Sequence, residues 1–131
     1  MFTMSTLVQQ IKLDFATIDL YDTYVVCSVH QGESLDIDRV VLLHKTYRKH
    51  YGDKQYGYIF DRTSSFTINP ISYMQCPYYP DVTAFAIVAP NPDVKKTVLF
   101  EEKFSKMPLL IFDTLEEAQV WMEAHHRKLG I

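Results

Sequence analysis

The stretch "YGYIFDRTSSFTINPISY", residues 56–73, decides how this chain is read. Its opening run, Tyr56–Phe60, is apolar and of strand length. A polar loop begins at Asp61, and Asn69-Pro70 carries a helix-start signature. An asparagine oxygen accepts an orphan N–H at a helix N-terminus, and proline in the first helical position gives up no hydrogen bond. Strand, polar loop and helix in that order make a βα unit, the building block of an α/β fold.

Downstream, the unit repeats. Val82–Ala89 and Leu109–Phe112 are apolar runs that barely alternate, the pattern of strands buried on both faces of a parallel sheet. Between them, "PNPDVKKTVLFEEKF" places Asn91 and Pro92 at a second helix start. After the last run, Thr114 and Glu117 form a T-x-x-E capping box. Leu115, Ala118, Trp121, Met122, His125 and Leu129 fall on one helical face, and Gly130 follows as the stop.

Upstream, Ile11, Leu13 and Phe15 alternate with polar or small residues, and Tyr24–Val29 forms a second strand. Residues 19–23 turn the chain, which predicts an N-terminal β-hairpin. The period then changes. Ile37, Val40, Val41, Leu43, His44 and Tyr47 predict a helix over about residues 36–50, closed by Gly52. The order is β-β-α-β-α-β-α-β-α: an N-terminal hairpin leading into a mostly parallel, five-stranded sheet with right-handed βα crossovers.

The chain has 131 residues, which suits one domain, and a net charge of −3, which gives no reason to expect nucleic-acid binding. No apolar run approaches the ~20 residues that cross a bilayer, so membrane insertion is not expected. Residues 1–14 lack a basic segment followed by an apolar block, so no signal peptide is expected and the compartment is read as cytoplasmic. Cys27 and Cys76 match no metal or redox spacing. The five histidines offer no pair at i, i+4, so neither a metal nor another cofactor is expected.

The succession of elements resembles the STAS domains, the fold of bacterial anti-sigma-factor antagonists. It is closer to the small STAS/SEC14-like proteins of bacteria. The resemblance rests on residues 56–73 and on "LLIFDTLEEAQVWMEAH", residues 109–125. In the antagonists a serine at the helix start after the corresponding strand is phosphorylated to switch partner binding. Here Asn69-Pro70-Ile71 stands at that place, with Ser64 and Ser65 upstream and Ser72 inside the predicted helix. The resemblance therefore implies the fold without the phosphoserine switch.

Two candidate sites follow. Asp61, Arg62, Ser64, Ser65 and Asn69 lie on the loop at the carboxyl end of a predicted parallel strand, where ligands of open α/β sheets collect. Their plainer role is to satisfy the loop's own backbone. Tyr78 and Tyr79, in "CPYYP", present rings between prolines, as at an interface, or else pack on the core. The basic run from His44 to Lys54 fits a solvated helix end. No nucleophile elbow or phosphate loop occurs.

A non-catalytic interaction module with a protein partner is the leading expectation. A carrier of a small apolar ligand, which the resemblance allows, is second, and an enzyme is third. An internal apolar cavity favours the carrier; a filled core with an exposed aromatic patch favours the module. A homodimer is also expected. With every helix on one face, the apolar row of Ile11, Leu13 and Phe15, extended by Ile18, Leu20 and Tyr24, would need a second copy to cover it; the alternative is that the helix at 114–129 folds under the sheet and covers that face in cis.

Overall fold

The computed structural model describes residues 6–64, 66–68, 81–104 and 108–131. A six-stranded mixed sheet organises the described residues. Strands β1 (Leu7–Lys12), β2 (Ala16–Tyr21) and β3 (Tyr24–Val29) form an antiparallel meander. From β3 onward, β5 (Tyr56–Asp61), β7 (Val82–Val88) and β8 (Leu109–Phe112) pair in parallel. The short strands β4 (Ser34–Leu35) and β6 (Thr67–Ile68) pair separately. Among the described residues the α-helices are α1 (Ile37–Tyr51), α2 (Pro92–Glu101) and α3 (Leu115–Leu129).

The hairpin expectation is corrected here. The row Ile11–Phe15 is not one strand: β1 ends at Lys12, and the chain reverses through residues 13–15, with Leu13 N–H donating to Ala16 O at 2.8 Å. The residues read as a turn, 19–23, are mostly strand. Thr17, Asp19 and Tyr21 alternate with the buried Ala16, Ile18 and Leu20, and Gln10 Nε2 donates to Asp19 Oδ1 at 2.8 Å across the ladder. Period two continues through Asp19, so only Asp22 and Thr23 are left to turn. The main sheet accordingly has six strands, not five.

The helix caps follow the sequence. Asp36 accepts from Arg39 N at the start of α1, Asn91 from Asp93 N at α2, and Thr114 from Glu117 N at α3. Gly130 ends α3 with φ 76°, a left-handed conformation that costs glycine no Cβ clash. The helix expected at Asn69-Pro70 lies outside the described residues.

Two cores result. On one face, Val40, Leu43 and Tyr47 of α1 and Val98 of α2 pack on Ile18, Val25, Cys27, Tyr58, Phe60 and Ile87. On the other, Ala118 and Met122 of α3 pack on Tyr24, Val26, Ile59, Ala86 and Val88. Strand β7 is buried on both faces, as its unbroken apolar run requires. Gly57 lets α3 approach: a Cβ there would run into Met122 Sδ.

The helices therefore do not share a face, which removes the argument for a homodimer. Ile18 and Leu20 are buried beneath α1, and α3 covers the opposite face. Over the meander, that opposite face shows Gln10, Thr17 and Asp19, which are polar.

Candidate functional site

The loop after β5 is built around Arg62. Its Nη1 donates to both oxygens of Glu101 at 2.7 and 2.8 Å, and the two residues are 3% and 1% exposed. The guanidinium carbon lies 4.7 Å from the centroid of Phe66, whose ring stacks on Phe60. Asp61 Oδ1 accepts from Thr63 N at 3.1 Å, which closes the loop locally. Thr67 Oγ1 donates to Ser34 Oγ at 2.9 Å, so the β4–β6 pair ties the loop to the segment before α1.

A cleft of about 320 Å³ sits there, lined by Arg62, Ser64, Phe66, Thr67, Asp93 and Thr97. The structure thus brings Arg62 and Ser64 together but commits Arg62 and Asp61 to holding the loop. Ser65, Asn69, Tyr78 and Tyr79 lie outside the described residues. The parallel strands advance in one direction, β3-β5-β7-β8, so no reversal of strand order opens a crevice between them.

Beneath α1 a second polar cluster fills the core. His44 Nδ1 lies 3.1 Å from the Tyr56 hydroxyl, and the Tyr47 hydroxyl donates to that of Tyr58 at 3.1 Å. Cys27 is enclosed with them, and burial pushes its thiol up to about 11. At neutral pH it is a protonated thiol, a poor nucleophile. Among the described residues no group of His, Cys, Asp or Glu is arranged to hold a metal ion. Among them, too, no helix is long and apolar enough to cross a membrane.

A more apolar, open surface lies elsewhere. A groove of about 630 Å³ runs between β8 and α3, lined by Phe112, Glu116, Glu117, Val120, Trp121 and Ala124. The rings of Phe112 and Trp121 are 5.8 Å apart, and His125 stacks on Trp121 at 5.0 Å. Val120 is 45% and Leu110 44% exposed. Trp121 lies on the apolar helical face read from the sequence. It is half-buried, because the buried face of α3 runs through Ala118, Met122, Glu123 and His126 instead. The sequence reading missed this groove. Its one signal was Val120, an apolar residue off the predicted face and beside the tryptophan.

No family model matches the chain, and no curated protein does. A solved structure does: an uncharacterized protein of the DUF3478 family with a SpoIIAA-like fold, from Shewanella loihica PV-4. It aligns with a TM-score of 0.57 and 8% identity, over 93% of this chain and 98% of that one. At that identity the likeness speaks to architecture alone, and it agrees with the resemblance carried by residues 56–73 and 109–125: the chain has a STAS-like, SpoIIAA-like fold.

Proposed function

We propose that the protein is a non-catalytic interaction module that docks a protein partner in the groove between β8 and α3. The observation that carries this is the lining of that groove, the half-buried rings of Phe112 and Trp121 with the exposed Val120, beside a sheet that has a packed core on each face. Apolar, aromatic surface rimmed by charge is what protein interfaces use at their centres. The groove is open to solvent, unlike the enclosed cavity expected of a carrier for a small apolar ligand.

Site-specific photo-crosslinking tests the reading. A benzophenone side chain at Val120 should give a covalent protein adduct in host cells, while the same group at Lys49 should not. Absence of any adduct at Val120, with a small molecule retained in native mass spectrometry, would move the assignment to the carrier.

A further inference from the structure

The two edges of the sheet are built differently. β1 carries Gln9, Gln10 and Lys12, and its register shifts between Leu7 and Gln9. Charge, polarity and a bulge are the usual means of keeping an edge from accepting another strand. β8 has none of them: Leu109–Phe112 is wholly apolar and in regular register with β7.

The backbone of β8 is also oriented to accept a strand. Phe85 N donates to Pro108 O and Ala89 N to Phe112 O. Residues 108 and 112 thus face β7. Because a strand's backbone groups alternate, Leu109 and Ile111 turn their N–H and C=O groups away from β7. No strand among the described residues lies on that side. The side chains of Leu110 and Phe112 fall on the α3 face, beside the groove, since their partners Ala86 and Val88 belong to the core under α3.

The rim supplies a charge. Glu116 and Glu117 occupy the first turn of α3, and among the described residues no cation pairs with either. Asp113, next to them, is held by Lys95 at 2.6 Å. The helix dipole accounts for carboxylates at this end. It also leaves them on the groove wall, where a partner's ammonium groups meet them.

We infer that the groove receives an extended segment of another protein that adds to the free edge of β8. The segment places alternate apolar side chains against Leu110, Phe112, Val120 and Trp121 and its lysines or arginines against Glu116 and Glu117. This rests on the docking reading above and names the partner's chemistry. A docked helix would leave the outward groups of Leu109 and Ile111 unpaired, whereas a strand satisfies them through main-chain bonds. A second copy of this chain would bring the same carboxylates to the contact, which disfavours it.

Fluorescence anisotropy with an eight-residue peptide alternating lysine and valine tests this. Its glutamate–valine counterpart should bind about tenfold more weakly or worse, and added salt should weaken the lysine peptide. The double variant Glu116→Gln/Glu117→Gln keeps the capping pattern and should lose about tenfold in affinity. Val120→Glu, at an exposed position, should abolish binding with the melting temperature kept. The peptide N-methylated at every valine and the one methylated at every lysine block opposite strand edges, so one should bind and the other fail. Equal behaviour of the two methylated peptides, or no preference for the lysine peptide, overturns the inference. If a protein adduct still forms at Val120 in that case, docking stands and only the strand-shaped, basic partner falls.

Discussion

Arg62 Nη1 bridges both carboxylate oxygens of Glu101, at 2.7 and 2.8 Å, across 39 residues of sequence. The pair fastens the end of β5 to the last residue of α2. Removing one partner strands a charge in the interior. Glu101→Ala should destabilise the fold by about 3–5 kcal/mol, whereas Arg62→Met with Glu101→Leu should cost far less, because no unpaired charge remains. Urea unfolding of the two variants measures the difference. Equal losses would mean that the pair is solvated.

Gly57 and Met122 should be coupled. A methyl at residue 57 meets a fully buried thioether, so Gly57→Ala should cost about 1–3 kcal/mol as overpacking. Met122→Ala makes room for it. The double variant should therefore be less destabilised than the sum of the singles. Additive losses would show that α3 does not lie on Gly57.

Stability should fall in mild acid. Burial holds His44 neutral, its pKa lowered from 6.5 to about 3, and burial together with the neighbouring His125 lowers that of His126 to about 4. The unfolded chain takes up these protons near pH 6.5, and the native state only far below. Between those values the unfolded state binds more protons, so stability drops as pH falls from about 6.5 toward 4. From pH 7 to pH 5, His44 alone should contribute a loss on the order of 2 kcal/mol. His44→Gln should remove that share of the pH dependence. A wild-type stability equal at both pH values would contradict the burial of the neutral rings.

The cap of α3 should be worth about 1 kcal/mol, read as the loss in Thr114→Ala, because the Thr114 hydroxyl oxygen accepts from Glu117 N at 3.2 Å. An unchanged unfolding midpoint would show that the box contributes nothing.

The parts of the fold legible in the sequence were those governed by local chemistry. Asn91-Pro92 and the Thr114–Glu117 box sit at helix starts, and the unbroken run at Val82 is the strand buried on both faces. The turn at residues 13–15 was hidden because Leu13 and Phe15 continue the apolar alternation of β1 while packing on the core, where the Arg39 guanidinium covers the Phe15 ring. The face taken by α3 was hidden for a different reason. Crossover rules constrain a helix that joins two strands, and among the described residues α3 joins none, so its side is read from packing. The same indeterminacy concealed the groove, which forms where α3 runs beside β8, an edge strand among the described residues. Arg62 was singled out from its loop, but its partner Glu101 sits in a helix with nothing local to mark the pairing.

The most direct test of the account is an amide NMR titration of the protein with the lysine–valine peptide, read at Leu109 and Ile111. The account predicts that these two amides shift and become protected from hydrogen exchange, together with shifts along the exposed flank of α3. Shifts confined to the Arg62 cleft, or unprotected Leu109 and Ile111 amides at saturating peptide, would contradict it.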